Sequence, residues 1–283
     1  LVVALSLTLG AAVPALAGAL RVTWEPARPR AGDVVLMRIH DVPAGAMVEA
    51  TLDGHLLGTF SAATRHTAVV GVDMDAPAGL RRWEVRMTAG KAARIVSGDL
   101  VVAARTYQVQ HLTVDQSMVD LDPATEKRAT EEGDRLRATY RRLSGERLWR
   151  GAWLRPVAGD TPGAGFGARR VINGQARAPH SGIDFAAPVG APVVAANRGR
   201  VALVGEYFFP GRLVVLDHGL GLYTAYFHLD TVAVAEGQTV ARGETLGTVG
   251  MTGRVTGPHL HFGAQVGAAR IDPAVLLELA AEE

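Results

Sequence analysis

The sequence predicts a mainly β protein: an N-terminal β-sandwich of immunoglobulin-like type, a connecting helix and a C-terminal antiparallel β-sheet domain. Three observations carry this expectation. Short apolar runs punctuated by turn residues fill the chain from about Leu20 to Val109. One stretch rich in Glu and Arg follows, and beyond Gly151 tight turns alternate with β-branched strands. At 283 residues two domains are expected. The boundaries fall at 1–17 for a leader, 18–109 for the sandwich, 110–150 for a linker with its helix, and 151–283 for the C-terminal domain.

The elements follow in order. Leu1 to Leu20 carry no charge, and Pro14 precedes Ala15-Leu16-Ala17, a small-x-small cleavage site. This pattern is that of a secretory signal lacking its initiator Met and positive n-region. The alternative is an N-terminal membrane anchor, because about twenty apolar residues suffice to span a bilayer. On the first reading the chain is exported with no stable membrane span after signal cleavage; on the second it stays anchored through this segment. In the sandwich, Asp33–Val42 is a β-branched run, and Met47–Leu52 and His55–Phe60 flank Asp53-Gly54, a type I′ hairpin signal. His40, His55, His66 and His111 are isolated there and are assigned structural roles. Asp122 followed by Pro123 starts a helix over Ala124–Arg142 whose apolar stripe is thin, so a solvated connector is expected. Beyond it, Val193–Val204, Leu213–Asp217, Leu222–His228, Thr231–Val234, Glu244–Val249 and His259–Val266 read as strands. A short helix is expected at Pro273–Ala281.

Composition excludes several functions. A formal net charge of +1 gives nucleic-acid binding no electrostatic support. With no cysteine, disulfides, thiolate metal sites and a cysteine nucleophile are excluded, so a metal would be held by His, Asp or Glu. A carrier domain of lipoyl type, suggested by the spacing of Gly190-x-Pro192-Val193, needs a modifiable lysine, and none occurs after Lys127.

Three clusters in the C-terminal half carry chemistry. His180-Ser181-Gly182-Ile183-Asp184 places an imidazole and a carboxylate in a loop running into a strand. His259-Leu260-His261 on a strand projects two imidazoles from one face, with Cα atoms roughly 6–7 Å apart. His228 ends the apolar run Tyr226-Phe227-His228. Imidazole and carboxylate are ligands zinc accepts when thiolate is unavailable, and a catalytic zinc takes about three of them and leaves one position open. His180, Asp184 and one imidazole of the His259/His261 pair make that number. The other imidazole and His228 are then free for acid–base work. Ser181 lacks a nucleophile-elbow pattern and is read as a turn residue, and His218 as structural.

The stretch from about Gly151 to Leu277 resembles the lysostaphin/LytM-type zinc metallopeptidases. The matching text includes Phe166-Gly167-x-Arg169-Arg170, His180-Ser181-Gly182-Ile183-Asp184, Gly190-x-Pro192-Val193-x-Ala195, Asp217-His218-Gly219, Tyr226-Phe227-His228-Leu229, Gly247-x-Val249-Gly250-x-Thr252-Gly253 and Gly257-Pro258-His259-Leu260-His261-Phe262. The resemblance implies a LytM-type fold, one Zn²⁺ per chain held by His180, Asp184 and His261, and non-ligating catalytic histidines at His228 and His259. It also implies hydrolysis of peptide bonds in bacterial peptidoglycan by zinc-activated water, with the wall peptide as partner and the periplasm or cell envelope of a bacterium as the location. The alternative is a non-catalytic regulator or activator of other cell-wall hydrolases on the same fold.

Overall fold

The computed structural model describes residues 20–62, 65–116, 119–159 and 165–279. The leader expected at 1–17 lies outside them. The protein is mainly β with antiparallel sheets, as the sequence predicts. Among the described residues no helix is long and apolar enough to cross a membrane.

Eight strands come first: β1 (Arg21–Glu25), β2 (Val34–His40), β3 (Met47–Leu52), β4 (His55–Leu56), β5 (Thr59–Ala62), β6 (Arg65–Gly71), β7 (Gly79–Ala89) and β8 (Ala92–Val102). They form two four-stranded sheets, ordered β1-β2-β6-β5 and β4-β3-β7-β8. Asp53 and Gly54 both have positive φ, as the I′ turn between β3 and β4 requires. Between the sheets lies a core including Val35, Met37, Ile39, Val70, Val85 and Leu100.

β2 shows why its sequence is an unbroken apolar run instead of an alternating one. Val35, Met37 and Ile39 enter the core between the two sheets, whereas Val34 and Leu36 belong to the core of the C-terminal half, together with Val69 of β6. The β2–β6 sheet is therefore buried on both faces. Gly71 sits at this contact, where an added Cβ would come within 2.8 Å of Val266 and 2.9 Å of Ala269.

Ion pairs close the same contact. Arg270 reaches Asp73 and Asp75, each at 2.7 Å, and Arg105 reaches Asp272 at 2.6 Å. Burial works to raise the Asp73 carboxyl, but hydrogen bonds from Arg270 outweigh it and hold it below its ordinary value. A depressed folded value means stability that is present above the ordinary carboxylate range and is lost as pH falls below it. Arg270→Ala is expected to lower stability by about 1–2 kcal/mol near neutral pH. It should also flatten the loss on the acid side, a pair of changes that thermal melts from neutral pH down to below the ordinary carboxylate range would read.

The middle of the chain supplies β9 (Val109–Leu112), α1 (Pro123–Tyr140), β10 (Arg169–Ile172) and β11 (Gln175–Ala176). The cap at α1 forms as expected: Asp122 accepts from the Ala124 and Thr125 backbone N–H groups, and Pro123 opens the helix. β9 pairs in parallel with β10, and Asn173-Gly174 turns β10 into β11 with positive φ at both residues. α1 is more than a solvated connector. Leu136 and Tyr140 pack with Leu203, Tyr207, Leu213 and Tyr223 on the large C-terminal sheet.

That sheet contains β12 (Gly182–Ala186), β13 (Pro192–Val194), β14 (Gly199–Tyr207), β15 (Gly211–Asp217), β16 (Leu222–Val232), β17 (Thr239–Val240), β18 (Thr245–Val249), β19 (His259–Val266) and β20 (Ala269–Ile271). Its main path runs β12-β19-β16-β15-β14-β17, and β18 joins β13 to β16. Three expectations are adjusted. The run Val193–Val204 is two strands, because β13 pairs with β18 whereas β14 pairs with β15. Leu222–His228 and Thr231–Val234 merge into β16, which continues through a bulge to Val232. The closing helix α2 is shorter than expected, at Pro273–Leu277.

Candidate metal centre

Strand register builds the site. β19 lies between β12 and β16, and His261 is paired with Asp184 on one side and Phe227 on the other. His180 precedes β12, held by backbone bonds from its N–H to Ala168 and from Gly167 to its carbonyl. Gly182 is required here by close approach: an added Cβ would lie 2.5 Å from the Phe262 carbonyl and 2.7 Å from His261 Nε2.

Three atoms converge. His180 Nε2 lies 2.8 Å from His261 Nδ1 and 3.0 Å from Asp184 Oδ1, and His261 Nδ1 lies 2.9 Å from the same oxygen. His180 and His261 are buried, and Asp184 is half-buried. Protons cannot satisfy such a triangle. If both nitrogens carry hydrogen to the carboxylate, two N–H groups face each other at 2.8 Å. If one nitrogen is bare, its lone pair faces the carboxylate oxygen or shares a single proton across two edges. Three lone pairs aimed at one point suit a cation, and two imidazoles with a carboxylate are a donor set that zinc accepts. The residues present therefore fit a metal ion.

The electrostatics agree. Burial first, and then the neighbouring His180 charge, pushes His261 down to about 4, so its ring is neutral at pH 7 and its lone pair is available. Burial acts to raise the Asp184 carboxyl, but hydrogen bonds from His180 and His261 prevail and hold it well below the usual range. Arg170 stands behind this carboxylate, 3.6 Å from its outer oxygen.

Two further histidines face the triangle. His259 Nδ1 is 2.8 Å from the Gly257 carbonyl, and His228 Nδ1 is 2.8 Å from the Thr252 carbonyl. A carbonyl only accepts, so Nδ1 carries the proton in both rings and Nε2 is the free atom. Their ring centroids are 4.8 Å apart, and that of His228 is 6.1 Å from that of His261. Burial, and then the His261 and His259 charges, push His228 down to about 3.

His228 reaches this position through the bulge in β16. Between the pairs Val214↔Tyr226 and Arg212↔Leu229 the β16 side holds one extra residue, and His228 adopts φ 64°. Adjacent strand residues normally point to opposite faces, yet here Phe227 stacks on His261 at 5.2 Å and 11° while His228 also turns towards the site. The sequence pattern singled out His228 but not Phe227, Arg170 or the two carbonyls that fix the tautomers. Gly257, which supplies one of those carbonyls, and Gly253, which follows the other, were the available sign of a shaped loop.

His218, read as structural, is so. It is buried, with Nδ1 2.8 Å from the Arg198 carbonyl and Nε2 2.7 Å from Thr224 Oγ1. A cavity of about 240 Å³ opens over the site, with His180, His228, His261 and Arg170 on one side and Ala129, Glu132, Gly133 and Leu136 of α1 on the other.

Comparison with known proteins agrees with this arrangement. Residues 178–273, which contain all five residues, match the profile of Peptidase family M23. The chain carries a peptidase family M23 domain. The resemblance to lysostaphin/LytM-type peptidases expected from the motifs is thereby borne out. The M23 domain is similar to peptidoglycan DD-endopeptidase ShyB of Vibrio cholerae, 46% identical over 84 residues, which are 30% of this chain and 20% of that protein. It is also similar to ShyA of the same organism, 38% identical over 133 residues, 47% of this chain and 28% of that one. The matched stretches thus span less than a third of those relatives. Beyond the M23 domain, the fold resembles that of a candidate peptidase M23 from Pseudomonas aeruginosa. The likeness covers 88% of this chain and 95% of that one, with a TM-score of 0.63 and 29% identity.

Proposed function

We propose that the chain is a zinc-dependent endopeptidase that hydrolyses peptide bonds of bacterial peptidoglycan. The convergence of His180 Nε2, Asp184 Oδ1 and His261 Nδ1, beside two histidines with free Nε2 atoms, carries this conclusion. His180, Asp184 and His261 would hold one Zn²⁺. Bound there, zinc supplies Lewis acidity that polarises a scissile carbonyl and brings the ionisation of water towards about pH 7. Of His228 and His259, one takes the proton of the attacking water at its bare Nε2, donates a hydrogen bond to the oxyanion while it carries that proton, and passes it to the leaving amine. The other orients the water as an acceptor. Their Nδ1 atoms stay committed to backbone carbonyls throughout, which leaves each Nε2 for the chemistry.

Peptidoglycan as substrate is supported by the names of the relatives matched by the M23 domain. Such a substrate puts the working protein in the cell envelope, in keeping with the apolar leader. In the same reading residues 18–109 are an accessory domain of immunoglobulin-like type, supported by the two packed four-stranded sheets. The test is digestion of purified sacculi by metal-loaded protein, followed by mass spectrometry of the released muropeptides. New amino termini within the peptides are expected, together with about one zinc per chain. Stoichiometric zinc with no peptide bond cut would sink the enzyme reading and favour the regulator.

A further inference from the structure

A metal-bound histidine ordinarily donates its other ring N–H to an acceptor, which sets the orientation of the ring. His180 Nδ1 is buried and has no such partner among the described residues. It faces Gly165, where an added Cβ would lie 2.6 Å away. What the described residues supply instead is packing, together with the two backbone bonds that tie His180 to Gly167 and Ala168. Whatever places residues 165–168 therefore places this imidazole.

That stretch is held from the N-terminal half. Tyr107, in the segment between β8 and β9, lies directly over Gly167, where an added Cβ would overlap the Tyr107 ring. The Phe166 ring meets Tyr107 edge-on, with centroids 6.0 Å apart and planes at 77°. Both rings reach back to the turn before β2. A Cβ on Gly32 would come within 2.6 Å of Phe166 and 2.9 Å of the Tyr107 hydroxyl, which donates to the Ala31 carbonyl at 3.0 Å. Arg105 spans the pair, its guanidinium 5.2 Å from the Tyr107 ring and 5.6 Å from that of Phe166. Arg169, next in the same stretch, pairs with Asp75 at 2.6 Å. The two halves are already joined around Gly71 and Arg270, so joining them does not by itself account for Tyr107. Its contact falls on a residue whose backbone bonds directly to His180.

We propose that Tyr107 is a positioning residue for the metal centre: its ring seats Gly167 and so holds His180 Nε2 at its corner of the donor triangle. The N-terminal half thereby sets how tightly the C-terminal half binds its ion. This rests on the metal-dependent reading of the site and adds a residue outside the M23 domain to it.

Zinc affinity of the full chain is measured by competition with a chromophoric chelator, well below the melting temperature of each variant. Visible absorption of the cobalt-loaded protein reports the geometry of the ligands. Tyr107→Leu fills part of the volume without a planar ring. It should weaken zinc binding by about tenfold or more, the size expected when a group behind a metal ligand is lost, and alter the cobalt spectrum. Tyr107→Phe keeps the ring and should bind zinc as the parent does. Leu100→Ala, in the core of the sandwich, tests destabilisation alone: it should lower the melting temperature and leave affinity and spectrum unchanged. If Tyr107→Leu does not fold, Tyr107→Met, with a more adaptable side chain, carries the same expectation. Parental affinity in the Leu or Met variant, or an equal loss in Leu100→Ala, overturns the positioning role while the metal centre stands. A parent that takes up neither zinc nor cobalt overturns both.

Discussion

Replacing His261 by alanine is expected to remove the metal and the activity together. His261 contributes one corner of the donor triangle, at 2.8 Å from His180 and 2.9 Å from Asp184. Its strand is held by ladders to both neighbours, which fixes the backbone that presents the imidazole. The His180 and Asp184 pair left behind falls short of the three protein ligands typical of a catalytic zinc site. Metal content by mass spectrometry should fall from about one per chain to near zero, and turnover by at least about 10³-fold. The fold should survive, because the surrounding apolar core, including Leu260, Phe262 and Tyr226, is untouched. A variant that keeps stoichiometric zinc would show that the ligand set has been misassigned.

His228→Ala should behave differently, keeping the metal and losing turnover. His228 makes no contact with the donor triangle through its anchored nitrogen, which faces the Thr252 carbonyl. Its free Nε2 is available for proton transfer, and removing one such group typically costs about 10²–10⁴ in rate. The site also has φ 64°, a left-handed conformation that Asn tolerates better than Ala. His228→Asn therefore serves as a companion variant with less backbone strain and the same loss of a titrating ring. Zinc release from both variants, with the fold intact, would place His228 among the ligands and overturn the division of roles.

Much of this was legible in the residues. The period of two along His259-Leu260-His261 put both imidazoles on one face and Leu260 in the core, as found. Asp53-Gly54 marked a hairpin because both turn positions need positive φ, and Asp122-Pro123 marked a helix start through a side-chain acceptor and a fixed φ. The β16 bulge was not legible. An extra residue in one strand is defined by its partner's register, and nothing local in Tyr226-Phe227-His228 announces it. For the same reason the pairing of β9 with β10, more than fifty residues apart, escaped a linear scan. The groove wall contributed by α1 was hidden because its stripe is only a few residues wide, and what matters is the surface it meets.

The double burial of β2 and β6 has a consequence for any attempt to shorten or recombine the chain. A fragment beginning near Gly151 would expose the surface around Leu220, Val266 and Ile271 that now meets Gly58, Gly71 and Val69. Such a truncation is a candidate for self-association, and loss of activity in it would report a bared apolar face before it reported anything about chemistry. Exchange of the N-terminal half with that of a relative meets the same constraint. Residues 34, 36, 69 and 71 answer sterically to residues 220, 266, 269 and 271, so grafts that carry both sets are the ones expected to fold.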